Sequence, residues 1–187
     1  MKNYQITSWV HRFLEDHVEA GDICIDATMG NGNDTALLSK LSGECGKVIA
    51  FDIQQMALDN TKERLETEQC PVNYELLLES HENMAAYAKE GTVSCITFNL
   101  GYLPGGDHTK ATKGESSIHA IETGLLLLKK KGLMTVCIYS GGDSGFEEKD
   151  AVLAYLKGLD SKKYLVIISE YANRPNNPPI PVLIVKL

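Results

Sequence analysis

From Ile6 to Val18 the apolar positions fall at Ile6, Trp9, Val10, Phe13, Leu14 and Val18, the spacing of one face of a helix. This N-terminal helix is expected over about residues 3–19, with Trp9 as a packing anchor and Gly21-Asp22 as the stop signal. Beyond it, short apolar runs alternate with helical stretches. Strands are expected at Ile23 to Ala27, Lys47 to Phe51, Asn73 to Leu78, Val93 to Phe98, Leu133 to Tyr139, Tyr164 to Ser169 and Val182 to Val185. Helices are expected at Asp34 to Leu41, Gln54 to Glu68, His81 to Lys89, Ser116 to Lys130 and Phe146 to Leu159. The run Lys129-Lys130-Lys131-Gly132 reads as the end of the fourth of these, since cations and Gly favour a helix C-terminus. Gly101 to Gly114 is a Gly-rich loop without periodicity.

Alternating strands and helices predict an α/β fold with a mostly parallel seven-stranded sheet and helices on both faces. The last two strands have no helix between them, which predicts an antiparallel C-terminal edge strand. The chain has 187 residues and no internal repeat or linker, so residues 1–187 are read as a single domain. Hydrophobic residues make up 43% and charged residues 23%, which argues against disorder. The net charge of -7 weighs against a broad grip on phosphates. It leaves room for a local basic patch, or for a partner recognised mainly through one base. Cys24, Cys45, Cys70, Cys95 and Cys137 form no C-x-x-C pair, which suits free thiols in a reducing cytosol and neither a disulfide framework nor a zinc site. No metal site is expected. The first residues lack a signal-peptide core, and no run approaches the ~20 apolar residues of a membrane span. A cytoplasmic protein with no membrane contact is the expectation.

The stretch Asp26-Ala27-Thr28-Met29-Gly30-Asn31-Gly32-Asn33-Asp34-Thr35 follows the first strand and opens a helix. Such a turn brings backbone N–H groups close to a ligand, with Gly where a Cβ would collide. Dinucleotides and the methyl donor S-adenosylmethionine (SAM) both use this geometry. Three features favour SAM. Asp26 can receive the donor's amino group, directly or through water. Thr35 stands where a dinucleotide fold has its third glycine. The loop carries neutral Asn31 and Asn33 and no phosphate-gripping Lys. Asp52, at the end of the second strand, is placed to accept hydrogen bonds from ribose hydroxyls, and also suits an N-cap. Gln54 lies on the same loop. Ser80 and His81 follow the third strand, where they can bound the adenine; His81 reads equally as a helix-start residue. Gly30, Gly32 and Asp34 complete the cofactor set.

The fourth strand ends in Asn99-Leu100-Gly101-Tyr102, which looks like the N-P-P-Y motif of amine methyltransferases with Leu-Gly in place of Pro-Pro. The residue types suit the chemistry. An Asn side-chain oxygen can accept an amine N–H and aim the nitrogen lone pair at a methyl group. An aromatic ring can stack on a planar base. Asn99 and Tyr102 are therefore the expected catalytic pair. Asp107 and His108 are near enough in sequence to relay a proton, with no essential base assigned.

Four segments together resemble one family: D-A-T-x-G-N-G-N-D-T from Asp26, F-N-L-G-Y-L-P-G-G-D from Phe98, Tyr139-Ser140-Gly141-Gly142, and Asn173-Arg174-Pro175-Asn176-Asn177-Pro178-Pro179. The set resembles the MnmM (YtqB-like) proteins, long labelled rRNA methylases, and the resemblance covers essentially the whole chain. It implies a Rossmann-like class I methyltransferase that uses SAM. It also implies methylation of the aminomethyl group on wobble 5-aminomethyl-2-thiouridine in the anticodon region of tRNA. On that resemblance Asn31, Asn33, Asp52, Gln54 and His81 hold the cofactor, and Gly105, Asp107, Tyr139 and Arg174 line the acceptor pocket. A homodimer would widen the surface offered to tRNA. Rival readings are an rRNA or small-molecule amine methyltransferase, favoured by the acidic charge, and a nucleotide-binding module on the same fold. A tRNA enzyme is expected to gather Lys110, Lys113, Lys129 to Lys131 and Arg174 at the pocket mouth.

Overall fold

The computed structural model describes residues 5–101, 114–139 and 145–187. Its helices are α1 (Ile6–His17), α2 (Asn33–Ser42), α3 (Gln55–Thr67), α4 (Gly114–Leu127) and α5 (Gly145–Lys157), with a 3-10 turn at His81–Ala86. Its strands are β1 (Ile23–Asp26), β2 (Lys47–Asp52), β3 (Tyr74–Leu78), β4 (Val93–Leu100), β5 (Leu128–Ile138), β6 (Tyr164–Ile168) and β7 (Ile180–Lys186). They form one seven-stranded sheet in the order β3-β2-β1-β4-β5-β7-β6. β1 to β5 are parallel, and β7 runs antiparallel to both its neighbours. The antiparallel strand thus lies one place in from the edge, and β6 forms the edge itself.

Each face of the sheet is covered. On one side Ile6, Val10 and Leu14 of α1 and Leu38 of α2 pack on Cys24, Val48, Cys95 and Leu133. Trp9 packs against this cluster, edge-on to Phe13 with ring centroids 4.7 Å apart. On the other side Ala120, Ile121 and Leu125 of α4 and Val152 and Leu156 of α5 cover Ile25, Ile49, Ile96 and Phe98. Among the described residues no helix is long and apolar enough to cross a membrane.

α4 ends at Leu127, and the lysines expected to finish it belong to β5. Leu128 is fully buried opposite Val93, while Leu133 pairs with Cys95, so Lys129 to Gly132 bulge out facing Ser94 alone. Burying Leu128 in the sheet outweighs the helix-end signal. Lys131 takes φ 65°, and a Cβ at Gly132 would lie 2.9 Å from the Lys129 carbonyl oxygen. Lys129 Nζ donates to Asp22 at 2.8 Å. The cation at the C-terminus of α4 comes instead from Lys186 of β7, whose Nζ donates to the carbonyls of Leu125 (2.8 Å), Leu126 (3.3 Å) and Leu128 (2.8 Å).

The chain leaves β1 toward β2 and leaves β4 toward β5, in opposite directions along the sheet. A doubly wound sheet opens its ligand crevice outside the carboxyl ends of such a pair. Asp26 and Thr97 are register partners there.

Candidate active site

The turn after β1 is shaped by its neighbours. Gly32 caps α2 at φ 76°, and a Cβ there would lie 2.9 Å from the Cα of Thr61. α3 grips the turn from above: Thr61 Oγ1 donates to the Gly30 carbonyl (3.2 Å), Asn60 Nδ2 to Asn31 Oδ1 (2.9 Å) and Arg64 Nε to the Asn31 carbonyl (2.6 Å). Asn33 is exposed at the start of α2. Sequence reasoning passed over Asn60, Thr61 and Arg64; their i, i+1, i+4 placement on one helix face was the available signal.

Asp52, at the end of β2, accepts from the Gly30 amide (3.0 Å) and from the Gln54 amide (2.9 Å). One carboxylate thus ties the Gly turn to the start of α3. Gln54 is buried there. Ser80 caps the 3-10 turn, accepting from the Glu82 amide at 3.3 Å. His81 Nδ1 donates to the Ala27 carbonyl at 3.0 Å, and the ring lies edge-on to Phe98. Burial holds His81 below its ordinary value against the Ala27 bond and the nearby acids, so the ring is neutral. With Nδ1 protonated, Nε2 is an acceptor.

Asp26 is wholly buried. It accepts from Thr35 Oγ1 (2.6 Å) and from the Thr28 amide (3.2 Å). Burial, and then the charge of Asp34, push Asp26 up to about 7. A carboxyl raised in the folded state stabilises the fold most below its ordinary value of 3.8, and that contribution is lost as pH rises through about 7. Melting temperature is therefore expected to fall from pH 6 to pH 8, and Asp26→Asn, whose oxygen can accept from the Thr28 amide while its NH2 donates to Thr35 Oγ1, is expected to melt higher than the native chain at pH 8. Calorimetry of the two proteins across this range checks it; parallel curves would place the carboxyl at its ordinary value.

Asn99, near the end of β4, is held by two hydrogen bonds. Its amide N–H donates to Thr28 Oγ1 at 2.6 Å, and its Nδ2 donates to Asp34 Oδ2 at 2.8 Å. Asp34 Oδ1 in turn accepts from His11 Nε2 of α1 at 2.6 Å. Beside them Tyr139 donates its backbone N–H to the Leu100 carbonyl, and a Cβ at Gly101 would stand 3.0 Å from the Tyr139 Cβ. That close approach accounts for a glycine in this position of the loop. Burial pushes the Tyr139 phenol up, so it stays protonated. Tyr102, Gly105 and Asp107 lie outside the described residues.

The carboxyl ends of β1 to β4 thus bring together Asp26, Gly30, Asn31, Gly32, Asp34, Asp52, Gln54, Ser80, His81 and Asn99. Arg174 is exposed on the connection between β6 and β7, which emerges at the same end because Ile180 pairs with Ile138. Lys129, Lys130 and Lys131 lie at the opposite end, beside Val93, and do not gather at the cleft. Lys110 and Lys113 lie outside the described residues.

A family model described as "Putative rRNA methylase" matches residues 48–185. The chain belongs to this family. It is 43% identical to a "putative rRNA-methylase" structure from Clostridium thermocellum, with a TM-score of 0.95 and all of both chains covered. The structure of SMU.1697c from Streptococcus mutans, in complex with S-adenosylhomocysteine (SAH), is 38% identical over 99% of each chain with a TM-score of 0.88. The chain is 33% identical over 184 residues to the chloroplastic tRNA (mnm(5)s(2)U34)-methyltransferase of Arabidopsis thaliana. That alignment takes in 92% of this chain but 66% of the plant protein, just under two-thirds of its length. The architecture of this family member is that of class I methyltransferases, as the family resemblance implied, and its mostly parallel seven-stranded sheet is the one the strand and helix pattern predicts.

Proposed function

We propose that this chain is a SAM-dependent methyltransferase acting on tRNA, which N-methylates the aminomethyl group of wobble 5-aminomethyl-2-thiouridine to give the methylaminomethyl product. The observation that carries the reading is Asn99: its Nδ2 is bonded to Asp34, so its oxygen is the atom left to accept an amine N–H. The plant relative's name specifies this kind of nucleoside, and the streptococcal relative binds SAH.

The residues around the cleft fit SAM. Asp52 offers a carboxylate to ribose hydroxyls while it holds the Gly turn. The Gly turn is close-packed, and its Asn side chains are neutral. His81 offers Nε2 as an acceptor at the adenine end. Asp26 acts through Thr28 and Thr35. When bound, SAM supplies a sulfonium methyl that transfers readily to a neutral amine. The chain's share of the work is then positioning. Asn99 orients the nitrogen, and Tyr102 stacks on the base. Gly105, Asp107, Tyr139 and Arg174 shape the acceptor pocket near the anticodon base. The protein works in the cytoplasm as a homodimer.

One observation favours a second reading, a small-molecule amine acceptor. The chain is acidic, and Lys129 is paired with Asp22 far from the cleft. The deciding experiment is methyl transfer from labelled SAM to bulk tRNA from a strain lacking the gene, followed by nucleoside mass analysis. Conversion of the aminomethyl to the methylaminomethyl thiouridine is the expected result. SAH binding without transfer to tRNA would overturn the tRNA reading and favour small amines or rRNA.

A further inference from the structure

An Asn side chain can present either its oxygen or its NH2 group from nearly the same position, and only one of these accepts an amine N–H. Something must choose. Asp34 Oδ2 lies 2.8 Å from Asn99 Nδ2. An ionised carboxylate only accepts, so the amide nitrogen is drawn to Asp34 and the oxygen is turned away from it. A protonated Asp34 would donate to the oxygen, and the amide would turn over. Asp34 is 8% exposed, so donors from the protein must stand in for water and support its carboxyl oxygens. That support comes from a third element: His11 of α1 donates Nε2–H to Asp34 Oδ1 at 2.6 Å.

We propose that His11 and Asp34 are positioning residues, which act as a relay from α1 through α2 to fix the Asn99 amide with its oxygen free for the acceptor nitrogen. The inference rests on the amine-methylation reading above. It adds what sets the polarity of the acceptor site, and it makes α1 part of that site.

The test has two readouts. The first needs no activity: the Asn99 side-chain NH2 signals in nitrogen-15 NMR, assigned by their loss in Asn99→Ala. In the native protein one of the two protons is expected to be shifted downfield and slow to exchange; in His11→Ala this signature is expected to collapse to that of a free amide. The second is steady-state kinetics. His11→Ala is expected to lower kcat roughly tenfold, with the SAH dissociation constant within about twofold of native. His11→Gln keeps an N–H donor toward Asp34 and is expected to recover most of the rate and the NMR signature. An unchanged signature and kcat in His11→Ala would overturn the proposal. So would a loss of SAH affinity in step with kcat, or a failure of His11→Gln to restore either readout while still folded by thermal melting. If the native protein proves inactive on tRNA, the proposed acceptor fails, and the amide signal still decides the role of His11.

Discussion

Asn99→Ala is expected to lower the maximal rate of methyl transfer by about a hundredfold while SAH affinity changes by less than about twofold. The Asn99 side chain sits at the carboxyl end of β4, bonded to Asp34 and not to the Gly turn. On the proposed reading, removing it deletes the group that orients the acceptor and leaves Asp52, Gly32 and His81 in place. The backbone bond from Asn99 to Thr28 Oγ1 survives the change, so β1 and β4 stay in register. Single-turnover rates with saturating SAM, beside calorimetric titration with SAH, separate the two effects. A native rate in the variant would remove Asn99 from the reaction. Equal losses in rate and SAH affinity would move it to the cofactor site.

The complementary result is expected at Asp52. Asp52→Ala frees the backbone N–H groups of Gly30 and Gln54 together and, on the proposed reading, takes a charge-assisted acceptor from the ribose. One such bond is worth roughly 1.5–3 kcal/mol, so SAH affinity is expected to fall about 10- to 150-fold. Asp52→Asn keeps one accepting oxygen and should lose less. The measurement is again calorimetric titration, with the rate at saturating SAM as the control. Affinity within about twofold of native in Asp52→Ala would mean that the carboxylate serves only the turn.

The alternation of apolar runs and helical stretches made the sheet legible, because a strand such as Val93 to Phe98, apolar on both faces, has few other ways to bury its side chains. What misled was a local signal competing with a distant one. Leu128 follows a helical pattern and precedes three lysines and a glycine, yet its place is fixed by Val93, some 35 residues earlier in the chain. Nothing near it in sequence records that partner. Lys186 shows the converse: a lone cation near the end of the chain serves a helix terminus about 60 residues away. In the site, residues on the loops after β1, β2 and β4 could be found because strand–loop–helix order alone carries them to one edge. His11 could not. It reads as one more residue of an amphipathic helix, and its meaning comes only from the packing of α1 over α2, which brings it to Asp34. Asp26 was legible as a residue of the crevice. Its complete burial was not, since that depends on Thr28 and Thr35 closing over it.

The thiols of this chain differ sharply in accessibility. Cys24, Cys70, Cys95 and Cys137 are buried, and Cys45 is exposed. Cys45 stands between α2 and β2, where the strands begin, and Asp52 and Asn99 stand where they finish. A maleimide dye on the folded protein would therefore attach at one place, a sheet's length from the cleft. Its fluorescence anisotropy would follow the size of whatever the protein joins, a second chain or a tRNA, with the reacting end left open.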